Sequence, residues 1–405
     1  MKIGIVTTWF ERGAAYVSKQ YEQLLQDEHE VFIYARGGEE YAIGDPEWDK
    51  ENVWWGKRVY SPISTYIDKK DFVQWLTKNK IELVIFNEQR WWDPIFICKQ
   101  KKIKTVAYID YYTEETIPFF QLYDALICNT KRHYEVFSWH KQCYYIPWGT
   151  DVALFKPLEN NFHIDEIVFF HSCGMSPKRK GTNYVIKSFY TLSKKYDNIK
   201  LIIHSQLELK KILSKLQKEI IELEKLNKLK VVSETIKAPG LYYKGDVYVY
   251  PTLLEGIGLT IAEAISSGLP AIVPNNAPMN EFVKDNISGK LIKIKRLYAR
   301  ADGYYWPQNL IDEDDLLINM EFFIKNKTKI KKYKKLAREY AINNLDWNKN
   351  KKLLNKCLLE IDFIDKNKDI ESNIKAYFNK QFLYIYNIHF IYKVGYFIYK
   401  KFYRK

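Results

Sequence analysis

Cysteine is scarce in this sequence of 405 residues, and its spacing excludes two kinds of small structural scaffold. A zinc ribbon requires closely spaced cysteine pairs, and a disulfide framework requires an even set. The chain has neither a CxxC pair nor an even number, since its five cysteines are Cys98, Cys128, Cys143, Cys173 and Cys357. This usage fits a reducing compartment, and we expect Cys173, which lies in a motif described below, to pack as a small buried hydrophobe.

Glycine and proline are also few, at 17 and 13 residues, which argues against long disordered or fibrous stretches. Uncharged apolar runs of roughly 18 residues are missing, so no membrane-spanning helix is predicted. The opening residues, MKIGIVTTWF, read as a strand and lack the apolar core and cleavage site of a signal peptide. We therefore expect a cytoplasmic protein.

Positive charge and aromatic side chains are abundant, with a formal net charge of +14 and 16% aromatic residues. Such a charge suits nucleic acid, an anionic membrane surface or a phosphorylated substrate, and a lysine-rich background explains it equally well. Nothing besides charge points to nucleic acid, so nucleic acid is not among the predicted partners. Aromatic faces suit sugar rings, so the aromatic content agrees with a sugar-handling protein.

Short apolar strands alternate with helical segments over residues 1–155 and again over 156–360. The alternation predicts βαβ units, parallel sheets and right-handed crossovers. The predicted fold class is α/β, with two Rossmann-like domains facing a central cleft. A linker spans Lys156–Asn161, and a C-terminal helical, aromatic and basic extension covers 361–405. Ligands in such sheets bind outside the carboxyl ends of the strands.

Three segments of the chain stand apart from this alternation. Leu207–Lys228 predicts one long charged helix. Leu297–Gln308 lacks periodicity and predicts a loop insertion that covers the cleft or, as we favour, packs on the surface. From Ile370 onward the chain is predicted to be helical and to pack back on the first domain or lie on an anionic membrane surface, which its tyrosines and terminal lysines favour.

The run Tyr250–Ala264, YPTLLEGIGLTIAEA, carries a pattern with chemical meaning. A strand ends at Tyr250, a tight glycine loop follows, and a helix begins, so backbone amides and the helix N-terminus can meet a diphosphate. Glu255 lies in the loop, and Glu263 lies about two helical turns further along. Carboxylates bind vicinal hydroxyls, which ribose and hexoses both present. A capped helix with solvated glutamates is the structural alternative.

The block from Val247 to Ile292 resembles the signature of retaining family-4 glycosyltransferases of the GT-B fold. It joins the E-x7-E pattern of Glu255 and Glu263 to the run SGLPAIVP and to the later NEFV and NISGKLI. The resemblance implies that Glu263 holds the nucleotide ribose and that Glu255 contacts the donor sugar. It also implies a donor-binding loop near sugar and phosphate, formed by Gly256, Ile257, Gly258, Leu259 and Thr260.

A second motif, HSCGMSPKRKGT over His171–Thr182, lies between a predicted strand and a predicted helix. Three consecutive cations suit a diphosphate that gains charge as it leaves, and an arginine can bind phosphate bidentately. In the family this loop supplies a Lys and an Arg to the diphosphate. Lys180 matches the Lys, and Arg179 is chosen for the Arg with Lys178 as its rival, because the common position holds Met175. A solvated basic loop is the structural alternative for this motif. Ser172 and Gly174 of the same motif are further donor-binding candidates.

The resemblance implies that the first domain, residues 1–155, lies on the acceptor side of the predicted cleft. Of the family's glycine-rich loop after the first strand, Gly13 remains and is a donor-binding candidate. Many members carry a His near the sugar where this chain has Asp110, which could bind a sugar hydroxyl, accept the acceptor's proton or cap a helix. Asn87 and Glu88 are further candidates. The predicted catalytic residues are Glu255, Arg179, Lys180 and Asp110.

The resemblance implies transfer of a sugar from a nucleotide-diphosphate donor, with retention, to a glycan, glycolipid or lipid-linked acceptor in cell-surface polysaccharide or glycoconjugate synthesis. The departing diphosphate would help to deprotonate the acceptor. Neither a metal nor another cofactor is expected, and the acidic run Asp312–Asp315 is expected to start a helix. The alternatives are a sugar-nucleotide epimerase on the same fold and a catalytically silent partner subunit, against which the intact Glu255, Glu263 and Lys180 argue.

Overall fold

Two parallel β-sheets form the framework of the chain in a computed structural model, which describes residues 1–37, 41–59, 65–158, 166–365 and 367–380. The first sheet contains β1 (Lys2–Thr7), β2 (Glu30–Ala35), β3 (Val53–Trp55), β4 (Leu83–Asn87), β5 (Lys104–Tyr108), β6 (Ala125–Cys128) and β7 (Cys143–Tyr145). Their order is β3-β2-β1-β4-β5-β6-β7, with every pairing parallel. The strand order reverses between β1 and β4, and a crevice for ligands forms at such a point.

Helices cover both faces of this first sheet, which is why β4 is buried along its whole length. They are α1 (Gly13–Leu25), α2 (Lys69–Asn79), α3 (Asp93–Gln100) and α4 (Lys131–Phe137), with a 3₁₀ segment at Ile117–Leu122. Side-chain caps fix two of the helix starts. Asp68 accepts the backbone N–H groups of Lys70 and Asp71 before α2, and Thr130 accepts that of His133 before α4.

The second sheet has six strands in the described chain and repeats the same architecture. It contains β8 (Ile167–Gly174), β9 (Ile199–Ser205), β10 (Leu229–Val232), β11 (Val247–Val249), β12 (Ala271–Pro274) and β13 (Gly289–Ile292), in the order β10-β9-β8-β11-β12-β13. The helices around it are α5 (Thr182–Ser193), α6 (Leu209–Ile212), α7 (Gln217–Lys225) and α8 (Leu259–Ser266), with 3₁₀ segments at Ser214–Leu216, Tyr242–Lys244 and Met279–Glu281. The predicted α/β class with two Rossmann-like domains is confirmed.

The single helix predicted over Leu207–Lys228 is wrong. The chain forms α6, then a 3₁₀ turn, then α7, because the backbone at Leu213 leaves the helical region with φ −112° and ψ 49°. The turn still keeps Leu213 and Leu216 buried in the core of the second domain. Apolar spacing alone therefore did not reveal the break.

The predicted loop insertion at Leu297–Gln308 is confirmed over residues 299–307, which form the tip of an antiparallel hairpin. Its strands are β14 (Ile294–Tyr298) and β15 (Gln308–Ile311), which are paired from Ile294 with Ile311 to Tyr298 with Gln308. The tip, residues 299–307, reaches the first domain, where Tyr304 stacks on Tyr111 with ring centroids 5.2 Å apart. The insertion thus bridges the two domains, and the preferred expectation of a surface loop is corrected.

The end of the described chain is helical and returns to the first domain. It contains α9 (Glu313–Lys325), α10 (Ile330–Asn344), α11 (Trp347–Glu360), a 3₁₀ segment at Lys327–Lys329 and a helix at 368–380. Asp312 caps α9, so the acidic run does start a helix. On the first domain, Trp347 packs on Trp148 with ring centroids 4.9 Å apart, and Phe378 packs on Trp91.

Parts of two predicted segments lie outside the described residues. These are linker residues 159–161 and residues 381–405 of the aromatic-basic extension. Within the described ranges, no helix combines the length and apolar character that crossing a membrane requires.

Candidate active site

The candidate site lies where the carboxyl ends of strands from both sheets face each other. On the second sheet, β11 ends at Val249, and the chain reaches α8 through a loop that closes at Gly258. Gly258 has φ +99°, a left-handed conformation that L side chains rarely adopt, and it immediately precedes the first turn of α8. The loop therefore presents Glu255 and the N-terminus of α8 to the cleft.

Glu255 is the centre of a buried ion cluster. Its side chain is 8% exposed, and its Oε1 accepts hydrogen bonds from Lys180 Nζ at 2.7 Å and Arg179 Nη1 at 3.3 Å. Two hydroxyls reach the same oxygen, Thr252 Oγ1 at 2.7 Å and Tyr250 Oη at 3.0 Å. No described residue donates a hydrogen bond to Oε2, so this oxygen can accept one from a ligand.

The electrostatics of the cluster keep Glu255 ionised. Burial raises the pKa of its carboxyl, but the charges of Lys180 and Arg179 outweigh burial and lower the pKa to about 2. Burial also lowers the pKa of Lys180 to about 8, although Glu255 opposes this effect. Arg179 additionally donates to the Leu254 carbonyl oxygen at 2.7 Å, whereas its rival Lys178 is exposed. The geometry favours Arg179 over Lys178.

Glu263 lies on α8, and its Oε2 accepts a hydrogen bond from Tyr242 Oη at 2.6 Å. Burial raises the pKa of this carboxyl. Glu263 lines a cavity of about 500 Å³, as do the donor candidates Ser172, Leu259 and Thr260. The structure thus gathers these four candidates around one cavity.

Both domains form the walls of this cavity. The first domain contributes Tyr16 and Trp148, and the second contributes His204 and Ile236. One salt bridge of the cavity lining joins the domains, because Glu47 of the first binds Lys237 of the second at 3.1 Å. Glu47 also binds Lys19 of its own domain at 3.2 Å. These bridges are partly exposed, so their contribution to stability is small.

Asp110 faces the glycine loop from the first domain. An ideal Cβ at Gly256 would lie 2.3 Å from Asp110 Oδ1, so a larger residue there would require this carboxyl to shift. Burial raises the pKa of Asp110 well above its ordinary value, and a hydrogen bond with Glu88 and the charge of that residue raise it further. The charges of Arg132 and Arg90 partly oppose this shift.

Other sequence candidates lie in less direct positions. Gly13 opens α1 at an exposed position, and an added Cβ there would meet nothing within 4 Å. Gly174 ends β8 with φ +48°. Asn87 is buried, and its Nδ2 donates to the Ala14 carbonyl oxygen at 2.8 Å, which gives it a structural role. Cys173 is buried, as expected.

Several residues of the site escaped sequence reasoning. Tyr250 and Thr252 belong to the motif itself, so their proximity to Glu255 could have suggested hydroxyl donors. Tyr242 and Arg132 reach the site only through the tertiary fold, and no local pattern indicates them. Among the residues that the structure describes, no group of three His, Cys, Asp or Glu side chains is arranged to hold a metal ion.

Sequence comparison relates the second domain to known enzymes. Residues 159–304 match the family model of the glycosyl transferases group 1. An uncharacterized glycosyltransferase of Methanocaldococcus jannaschii is 36% identical over 121 residues, which cover 29% of each chain. The UDP-Gal:alpha-D-GlcNAc-diphosphoundecaprenol alpha-1,3-galactosyltransferase of Escherichia coli is 45% identical over 56 residues, 14% of each chain. The matches thus span less than a third of these two relatives.

Structural comparison covers nearly the whole chain. Anabaena Alr3699/HepE in complex with UDP and glucose has a TM-score of 0.67 at 14% identity, over 89% of this chain and 100% of that one. The pneumococcal O-GlcNAc transferase GtfA in complex with UDP and GlcNAc has a TM-score of 0.67 at 12% identity, over 89% and 99%. At these identities the likeness establishes the GT-B fold alone.

Proposed function

We propose, from the match of residues 159–304 to the glycosyl transferases group 1, that this chain transfers a sugar from a nucleoside-diphosphate donor to an acceptor hydroxyl with retention of configuration. The observation that carries the proposal is the contact of Lys180 and Arg179 with Glu255 beside the N-terminus of α8. A diphosphate at this position would meet two cations and a helix N-terminus, all of which favour negative charge.

The two glutamates suit two parts of such a donor. Glu263 lines the cavity and is oriented by Tyr242, so it can bind the ribose hydroxyls. Oε1 of Glu255 accepts hydrogen bonds from four donors, and its Oε2 can accept one from a hydroxyl of the transferred sugar. This division agrees with the roles that the family resemblance implies.

The proton of the acceptor hydroxyl needs a base, and Glu255 is unsuited to that role. A carboxylate with a pKa of about 2 is too weak a base at neutral pH. We therefore assign the proton to the leaving diphosphate. The acceptor O–H and the donor's anomeric C–O bond break, the new glycosidic C–O bond forms, and Lys180 and Arg179 stabilise the departing charge. Asp110 faces this centre from the first domain and could bind an acceptor or sugar hydroxyl.

The reaction is proposed to need no bound metal, because Lys180, Arg179 and α8 already supply positive charge to the diphosphate. Turnover of the enzyme after EDTA treatment and gel filtration should equal that of the untreated enzyme. A loss of turnover that Mg²⁺ or Mn²⁺ restores would contradict this part of the proposal.

A glycan, glycolipid or lipid-linked acceptor, in cell-surface polysaccharide or glycoconjugate synthesis, is the proposed second substrate. The relative from Escherichia coli acts, by its name, on a diphosphoundecaprenol-linked sugar. The basic and aromatic end of the sequence, which includes Lys400, Lys401 and Arg404, suits an anionic membrane surface on the cytoplasmic side. Co-sedimentation with phosphatidylglycerol vesicles should decrease when residues 382–405 are deleted, and equal binding would refute the membrane role.

Hydrolysis and transfer assays with a panel of UDP- and GDP-sugars test the function directly. We expect one donor to be consumed, and we expect Glu255→Ala and Lys180→Ala to abolish consumption while the far-UV circular dichroism spectrum is unchanged. Lys178→Ala is the matched control, because this neighbouring lysine is exposed. If no donor binds in a thermal-shift screen or is turned over, the enzymatic assignment fails.

A further inference from the structure

The donor loop of the second domain is held by a helix of the first domain. Arg132 on α4 is 3% exposed, and its Nη2 donates to the carbonyl oxygen of Glu255 at 2.6 Å. The same atom lies 3.5 Å from the carbonyl oxygen of Gly256, and Nη1 donates to that of Ala277 at 2.9 Å. One guanidinium thus contacts three carbonyls of the other domain.

His133, the next residue on α4, adds a contact to the same loop. Its Nε2 lies 3.4 Å from the Gly256 carbonyl oxygen, and its Nδ1 lies 2.9 Å from Tyr112 Oη. A carbonyl can only accept, so Nε2 carries the proton and Nδ1 accepts from Tyr112. Burial lowers the pKa of His133 well below its ordinary value, which keeps the ring neutral. Trp306 at the hairpin tip donates to Tyr112 Oη. A series of hydrogen bonds thus runs from Trp306 through Tyr112 and His133 to the Gly256 carbonyl oxygen.

The contact is reciprocal, because the second domain caps α4 in turn. Glu281 accepts the backbone N–H of Lys131 at 2.7 Å and that of Arg132 at 3.2 Å. A carboxylate at a helix N-terminus is favourable and fixes the helix relative to its partner. Arg132 therefore has little freedom to move away from the loop.

Holding these carbonyls determines where the neighbouring amides point. In a trans peptide the C=O and the following N–H point in opposite directions. The carbonyls of Glu255 and Gly256 both face α4, so the N–H groups of Gly256 and Ile257 face away from it, beside Glu255. In the described part of the chain, neither N–H has a hydrogen-bond partner. Two oriented, unoccupied donors at one point suit an anionic or hydroxyl-rich ligand.

We propose that Arg132 and His133 are positioning residues that orient the Gly256 and Ile257 amides toward the donor sugar and its diphosphate. The donor site of the second domain is then complete only while α4 of the first domain is docked on it. This inference rests on the proposed function, since the ligand at the amides is the sugar nucleotide.

The test compares Arg132→Met, Arg132→Lys and Glu281→Gln with the wild type. We expect Arg132→Met to lower kcat by about 100-fold, the size of effect seen when oriented donors are lost at a developing charge. Affinity for the matching nucleoside monophosphate, UMP or GMP, should stay within about twofold in calorimetry, because Glu263 and the cavity do not contact Arg132. Arg132→Lys and the nearly isosteric Glu281→Gln should show intermediate losses of kcat.

Arg338→Met is the matched control for simple loss of structure. Arg338 also donates to three carbonyls, those of Val152, Phe155 and Ser266, at 2.8–3.0 Å, and it does not contact the glycine loop. A similar fall in kcat for Arg338→Met would overturn the proposal. So would an unchanged kcat for Arg132→Met, or an equal loss of monophosphate affinity.

The two hypotheses can fail separately. If the wild type consumes no sugar nucleotide, the proposed function fails. Orientation is then tested by the crystal structure of Arg132→Met, in which we expect the Glu255–Gly256 and Gly256–Ile257 peptides to rotate. Peptides that keep their orientation without the guanidinium would refute the positioning role whatever the reaction is.

Discussion

Replacement of Glu255 by Gln keeps the shape of the side chain and removes one buried charge. The pKa of Glu255 is about 2 in the folded protein against an ordinary value of 4.5, a difference that corresponds to about 3 kcal/mol of folding free energy. Because the folded-state pKa is the lower one, this stabilisation is complete above about pH 4.5 and is lost as the pH falls through about 2. The burial of Glu255 means that solvent screens little of it.

The variant should therefore be less stable than the wild type by about 3 kcal/mol at pH 7, since Lys180 would remain buried without its counter-charge. At pH 3 the difference should shrink to about 1 kcal/mol, because the wild-type carboxylate has then lost part of its advantage. Urea unfolding followed by circular dichroism at both pH values measures the two differences. Subtracting variant from wild type cancels the titration of the remaining carboxyls.

Glu321→Gln provides the matched control for this experiment. Hydrogen bonds from Lys195, Lys325 and Tyr196 also lower the pKa of Glu321 to about 2, but this carboxyl lies on the surface. Solvent screens such pairs, so its replacement should change the free energy of unfolding little. A difference for Glu255→Gln that stays constant between pH 7 and pH 3, or an equal effect of Glu321→Gln, would refute the buried-charge reasoning.

Three other outcomes follow from the geometry of the site. Turnover should fall as the pH rises through about 8, where Lys180 loses its charge, and Lys180→Arg should extend the pH–rate profile upward. Gly256→Ala should weaken donor binding in calorimetry, because its Cβ would meet the carboxyl of Asp110, and adding Asp110→Ala should restore the affinity. Tyr242→Phe should weaken nucleotide binding by about 1 kcal/mol, because it removes the hydrogen bond that orients Glu263. Unchanged binding would exclude an orienting role for Tyr242.

The sequence was sufficient for the architecture because local patterns and the fold agree. The alternation of strands and helices recurs in both parallel sheets, and the acidic run at Asp312 caps a helix as expected. The association of Glu255 with Lys180 followed from two βα loops that lie side by side on adjacent strands, β8 and β11. The parallel sheet itself brings these motifs together.

Features that depend on packing between distant segments could not be read from the sequence. The helix breaks at Leu213, but Leu213 fits the regular apolar spacing of the segment, so nothing in that spacing marks the break. The hairpin tip is aromatic because Tyr304 and Trp306 pack on the first domain, so its composition reflects a partner nearly 200 residues away. Arg132 resembles any basic helix residue until the fold brings it to the Glu255 carbonyl.

The chain passes between the two domains at two places that are joined to each other. Thr150 donates its N–H to the Leu345 carbonyl oxygen at 2.7 Å, and Trp347 donates back to the Thr150 carbonyl oxygen at 3.2 Å. Gly149 permits this approach, since a Cβ there would lie 2.6 Å from the Leu345 carbonyl oxygen. Two chain connections that are hydrogen-bonded side by side can act as a hinge. Rotation about that line would change only a few backbone torsions, whereas sliding or twisting would break both hydrogen bonds, so these two bonds favour rotation over the other motions.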